Sequence, residues 1–223
     1  MTIKETRLFF TSRGEEAIQL EGILHYPGGN NLPAAIICHP HSLYGGSMNV
    51  SLVVSIARTL AERGIIAFRF NFRGVGRSEG VFGEGAAELD DVAGAVDTLL
   101  REGAVDEGRI YLVGYSFGAW VGLHHAEHDP RICGVVAIGL PMGQSEEGFL
   151  SGYTRPKLFI TGENDSICPP DILRRFVERL PAPKEVRTLR GTDHFLIGQE
   201  KKVAEAIADF IGGYKRDRRG NRA

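Results

Sequence analysis

Ser116 is the residue with which the chemistry of this chain begins. It stands in Gly114-Tyr115-Ser116-Phe117-Gly118, with a glycine two positions to either side. A serine hydroxyl is a weak nucleophile until a base takes its proton, and that base is usually an imidazole held in one tautomer by a carboxylate. The chain supplies His194 in Gly191-Thr192-Asp193-His194-Phe195 and Asp165 in Gly162-Glu163-Asn164-Asp165. Glu163 and Asp193 are the alternative carboxylates. Asp193 adjoins His194, so its side chain points away more naturally than toward the ring.

The glycines have a physical reason. G-x-S-x-G marks a strand that turns at once into a helix, where two backbones pass too closely for bulky side chains. The serine sits there in a strained conformation that lifts Oγ clear of the sheet. The N-terminus of the following helix aims the Phe117 N–H at the place where an oxyanion would develop.

Other groupings compete with this one. His39 and His41 form a His-x-His pair, and His124 and His128 stand at i, i+4. Neither has further ligands nearby in sequence, so the first pair reads as shaping a loop and the second as a helix face. Gly74, Gly76 and Gly80 do not make G-x-G-x-x-G, which argues against a dinucleotide loop. Cys38 and Cys133 read as inert thiols of buried strands, and Cys168 as a residue of the site rim.

The elements that must position these residues alternate. Arg7 to Thr11 and Ile18 to Tyr26 read as an antiparallel pair around a loop at Ser12-Arg13-Gly14-Glu15-Glu16. Apolar runs at Ala34–Cys38, Ile65–Phe70, Ile110–Val113, Cys133–Ile138, Leu158–Thr161 and Val186–Leu189 read as buried strands. Between them lie helical faces: Leu52, Val53, Ile56 and Leu60; Leu89, Val92, Val96 and Leu99; Ile172, Phe176, Val177 and Leu180; and, last, Val203, Ile207, Phe210, Ile211 and Tyr214. Such alternation predicts a mostly parallel sheet with helices on both faces. Ser116, Asp165 and His194 then each fall just past a strand end, where parallel sheets gather their ligands.

The 223 residues suffice for one α/β domain over 1–214, with 215–223 expected as a basic, disordered tail. A net charge of −2 argues against a nucleic-acid binder. Three scattered cysteines make no disulfide framework. No leader and no apolar run of about 18 residues is evident, so a cytoplasmic location without membrane association is expected. The oligomeric expectation is monomer or homodimer.

The chain resembles the α/β-hydrolase fold superfamily from about Arg7 to Tyr214. More narrowly it is similar to the small lidless serine hydrolases related to dienelactone hydrolase. The stretches that carry this are His39-Pro40-His41-Ser42-Leu43-Tyr44-Gly45-Gly46, Asn71-Phe72-Arg73-Gly74-Val75-Gly76-Arg77-Ser78, the Ser116 pentapeptide and Gly191–Phe195. The order Ser116, Asp165, His194 is the order of that fold. The resemblance implies Ser116 as nucleophile, His194 as base, Asp165 as carboxylate, and the His41 and Phe117 N–H groups as oxyanion hole. The usual His-Gly of the oxyanion loop is His-Pro here, so Ser42 is the alternative to His41. Serine replaces the elbow cysteine of dienelactone hydrolase itself, which favours a general carboxylesterase.

The stretch from Gly139 to Lys157 is too short for a lid domain, so an open site is expected, walled in part by Met142–Tyr153. Leu43, Tyr44, Phe117 and Ile167 are the expected apolar acyl surface for a small-molecule ester with a short acyl chain, and Ser42 is a further expected substrate contact. No metal or organic cofactor is implied. Activity should fall in acid as the imidazole gains a proton. A thioesterase or peptidase on the same three residues stays open, because pocket shape and not acid–base chemistry selects the leaving group. So does a catalytically silent binding protein of this fold.

Overall fold

The computed structural model describes residues 3–15, 17–144 and 148–214. The expected tail at 215–223 lies outside the described residues, as does part of the 142–153 loop. Eight strands form one sheet: β1 (Lys4–Thr11), β2 (Gln19–Tyr26), β3 (Leu32–Cys38), β4 (Ile66–Phe70), β5 (Val105–Tyr115), β6 (Ile132–Ile138), β7 (Lys157–Gly162) and β8 (Lys184–Leu189). Their order across the sheet is β1-β2-β4-β3-β5-β6-β7-β8. β1 pairs antiparallel with β2, and β2 with β4; every later pairing is parallel.

Among the described residues five α-helices cover the two faces: α1 (Ser51–Glu62), α2 (Glu88–Leu100), α3 (Phe117–His128), α4 (Pro170–Glu178) and α5 (Glu200–Gly213). Because side chains alternate along each strand, the buried residues divide into two apolar layers. Leu112, Phe68 and Phe159 meet α2, α3 and α4 on one face. Val113, Ile37 and Ile160 meet α1 and α5 on the other. Burial on both faces is why the central strands read as unbroken apolar runs. Among the described residues no domain is inserted between β6 and β7, and none forms a lid over the ends of β3, β5, β7 and β8. Among the described residues no helix is long and apolar enough to cross a membrane.

Two expectations need correcting. β5 begins at Val105, ahead of the apolar run, because Val105 pairs with Leu32 across an irregular register that polar Asp106 and Glu107 conceal in the sequence. On α4 the inward residues are Leu173, Phe176 and Val177, while Ile172 faces out.

The loop after β4 is tied to α2 by one ion pair. Arg73 donates to both carboxylate oxygens of buried Asp91, the closest contact being 2.7 Å, and its own N–H adds a bond of 2.9 Å. Removing one member of such a pair strands the other charge. Asp91→Ala should therefore lower the unfolding free energy by about 3 kcal/mol in urea titration. An unchanged midpoint would mean that Arg73 reaches water instead.

Candidate active site

Ser116 lies between the end of β5 and the first turn of α3 at φ 54°, ψ −119°, a region L-residues seldom enter. Neighbours hold it there. Its N–H donates to the Ile138 carbonyl at 2.8 Å, and its own carbonyl accepts from Ala119 and Trp120. Gly118 packs so tightly on the end of β3 that a Cβ would run into the carbonyl oxygens of Cys38 and His39. Gly114 packs likewise on Gly118 and Ala119. The Phe117 N–H opens the helix, where geometry provides no intrahelical acceptor.

From Ser116 Oγ the polar chain continues to His194 Nε2 at 2.9 Å and from His194 Nδ1 to Asp165 Oδ2 at 2.8 Å. A carboxylate can only accept, so Nδ1 carries the proton and Nε2 presents a lone pair to the serine hydroxyl. Asp165 Oδ1 accepts from the N–H groups of Ile167 and Cys168 at 2.9 and 2.7 Å. Burial works to raise its pKa, but the bonds from His194, Cys168 and Ile167 outweigh burial and hold the carboxyl below its ordinary value. His194 is itself anchored: Tyr115 OH donates to its carbonyl at 3.0 Å. Burial, then the charge of Asp165, pushes that phenol up to about 12, so it stays a donor. Gly139 makes room for the imidazole, since a Cβ there would stand 2.9 Å from Cε1.

The alternative carboxylates are engaged elsewhere. Glu163 accepts from the Gly191 N–H, and Asp193 accepts from the Phe195 N–H. Cys168 is not at the rim, as expected, but fully buried beneath Asp165, where burial raises its thiol to about 12. His39 uses both ring nitrogens: Nδ1 donates to Pro40 C=O at 2.6 Å and Nε2 accepts from Phe72 N–H at 3.1 Å. His124 donates to Trp120 C=O, and its ring lies against Trp120 and Phe149. Among the described residues no three His, Cys, Asp or Glu side chains converge on a metal site.

An open cleft of about 490 Å³ leads down to Ser116 and His194. Tyr44 and Ile167 stand on its wall as expected, while Ser42 and Leu43 do not. Ser42 lies inside a short 3₁₀ turn with its hydroxyl buried, and Leu43 faces solvent. Phe117 packs inward against His41, Phe72 and Phe82. The described residues of the 142–153 loop, expected as a wall, do not line this cleft; Met142, Phe149, Leu150 and Tyr153 turn into the core. The loops after β3 and β8, with Ile167 from the loop after β7 and the start of α1, form the walls instead.

Residues that brace the loop after β3 went unassigned in the sequence. Phe72 N–H holds its entry through His39, and Asn71 Oδ1 holds its exit by accepting from Met48 N–H at 2.8 Å. Asn71 Nδ2 in turn donates to buried Glu21 at 2.7 Å, which also accepts from Arg77 N–H and the Arg7 guanidinium. Ser78 Oγ closes the network by donating to Asn71 C=O and accepting from Glu21 N–H. The only signal for this brace was a polar, glycine-rich stretch after a buried strand. Which partners it meets depends on β2, which lies beside β4 only in the folded sheet.

Sheet order, helices on both faces and a serine, carboxylate and histidine on three strand ends define an α/β hydrolase. Residues 34–153 match the family described as serine aminopeptidase, S33, and the chain belongs to that hydrolase family. An uncharacterized protein of Rickettsia prowazekii is 31% identical over 201 residues, covering 86% of this chain and 84% of its own. An Agrobacterium tumefaciens protein of unknown function superposes with a TM-score of 0.83 at 32% identity, covering 93% of this chain and 95% of that one. A lidless α/β serine hydrolase from Xanthomonas campestris superposes with a TM-score of 0.80 at 29% identity, with 96% of each chain covered.

Two buried imidazoles make the fold acid-sensitive. Burial lowers His39 from 6.5 to about 4; burial and the neighbouring Arg69 lower His25 to about 4. Both stay neutral in the folded chain while the unfolded chain binds protons below 6.5, so stability is fully present above 6.5 and is lost as pH falls toward 4. Each contributes about 3 kcal/mol to that loss. Urea midpoints measured from pH 7 to 4 should fall more steeply for the wild type than for His39→Gln. Parallel profiles would show that His39 is not held neutral.

Proposed function

We propose that this chain hydrolyses carboxylic esters with short acyl groups by way of an acyl-enzyme on Ser116. The observation that carries the reading is the unbroken hydrogen-bonded line from Ser116 Oγ through His194 to Asp165. His194 Nε2 takes the hydroxyl proton as Oγ attacks the ester carbonyl, and then delivers it to the departing alkoxide. Asp165 keeps the ring in the required tautomer and faces the imidazolium. Water then repeats the sequence on the acyl-enzyme, with His194 again as base.

The N–H groups of Phe117 and His41 are the donors assigned to the oxyanion. Two features support this. The end of β3 is pressed onto the first turn of α3, and the His41 and Phe117 rings lie 5.0 Å apart. Each oxyanion donor is worth about 3 kcal/mol of transition-state stabilisation.

The character of the cleft favours a neutral ester over a peptide with a free amino terminus. An ammonium group taken out of water needs a carboxylate partner. Among the described residues, no Asp, Glu, Lys or Arg is on the cleft wall. Among the described residues no inserted domain folds over the site to enclose a long chain, which supports a short acyl group.

The test is hydrolysis of p-nitrophenyl esters from acetate upward. Short esters should turn over, with kcat falling by at least ~10³-fold in Ser116→Ala and by ~10³- to 10⁴-fold in Asp165→Asn. Full activity in Ser116→Ala would overturn the nucleophile. An inert wild type across the series, alongside activity on N-terminally free peptides, would overturn the ester reading in favour of a peptidase.

A further inference from the structure

Among the described residues nine large apolar side chains are exposed, and four of them stand on the wall of the cleft that holds Ser116. Tyr44 is 87% exposed, Ile197 79%, Phe195 65% and Ile167 47%. Leu52 and Val50, at the start of α1, continue the apolar surface inward. Large hydrophobes left in water around a concave site mark a place where an apolar group binds. Among the described residues the wall carries no Asp, Glu, Lys or Arg, and the Ser51 hydroxyl on it is already turned to Glu200 at 3.3 Å.

The position of this surface says which half of the ester it would meet. Phe195 and Ile197 follow His194 closely in the chain, and the Phe195 ring centroid is 6.1 Å from the imidazole. In acylation the Oγ–C bond forms, the C–O bond to the alcohol breaks, and the proton taken from Ser116 passes from Nε2 to the leaving oxygen. That oxygen must therefore lie beside His194 Nε2, within hydrogen-bond reach. Whatever is attached to it extends along the His194 side of the site, between Phe195 and Ile197 on one wall and Tyr44 and the start of α1 on the other.

We infer that this cleft is the alcohol subsite, and that the preferred substrates are esters of bulky, uncharged, apolar alcohols. This deepens the ester reading and rests on it. Phe195, Ile197 and Tyr44 are then specificity-determining residues. They select the leaving group while the acyl group stays short.

Two matched aliphatic series on the full chain test this: acetates of ethanol, butanol and hexanol, and ethyl esters of acetic, butyric and hexanoic acids. Alkoxide basicity barely changes along the first series, so differences report binding. Each methylene withdrawn from water is worth roughly three- to fourfold, and a partly open cleft should recover about tenfold or more in kcat/KM from ethyl to hexyl acetate. The acyl series should show no comparable rise. In Phe195→Ala/Ile197→Ser the hexyl-to-ethyl ratio should fall toward one. A flat alcohol series in the wild type, or a variant that lowers ethyl and hexyl acetate equally, overturns the inference and leaves the ester reading standing. Absence of turnover on every ester overturns both. If the double variant fails to fold, the wild-type series still separates a rising alcohol dependence, which supports the inference, from a flat one, which overturns it.

Discussion

The first turn of α3 lies against the ends of β3 and β5 at a separation that only glycine at 114 and 118 permits. Everything at the site depends on that approach. It forces Ser116 into its positive φ, and the Ile138 carbonyl holds the residue there through the Ser116 N–H. It frees the Phe117 N–H at the head of the helix and brings the loop after β3 beside it. The strain of one residue is sustained because two strands and a helix, all buried, leave it no other conformation.

The same economy of position governs the partners. β5, β6, β7 and β8 are successive parallel neighbours, so their C-terminal ends form a row. Ser116 comes from the first, Gly139 from the second, Asp165 from the third and His194 from the fourth. Gly139 sits beside His194 and Asp165 and clears the volume the imidazole needs. Both oxygens of Asp165 are filled by donors, so the carboxylate stays charged and fixed while buried. Groups already held in place add no reorganisation to a reaction barrier.

Polar side chains away from the reacting atoms stabilise the loop that faces Ser116. His39, Asn71, Ser78 and Glu21 form hydrogen bonds deep in the protein, where an unpaired group would cost ~1–3 kcal/mol. Each satisfies another, so the loop after β3 has one arrangement. The walls of the cleft differ in kind: among the described residues they are mostly apolar and carry no Asp, Glu, Lys or Arg. A rigid polar frame beneath and an apolar surface above suit a site that fixes its polar groups while accepting a hydrophobic group beside them.

Much of this was legible in the chain itself. Fully buried strands announce themselves as apolar runs, a strand that turns sharply into a helix demands glycine, and the order of serine, carboxylate and histidine is a property of sequence alone. Ser116, Asp165 and His194 could be singled out because each follows such a run. Tertiary structure decided what depends on neighbours distant in sequence. Only pairing with Leu32 extends β5 back through Asp106 and Glu107, and only the placement of β2 beside β4 brings Glu21 to Asn71. The direction of a loop side chain is set by what packs beneath it, so Leu43 turned to solvent, the described part of the 142–153 loop turned inward, and Phe195 and Ile197 came to line the cleft. Local chemistry dictates the turn and the order of the reacting groups; the walls around them are chosen by packing, which no short stretch of sequence contains.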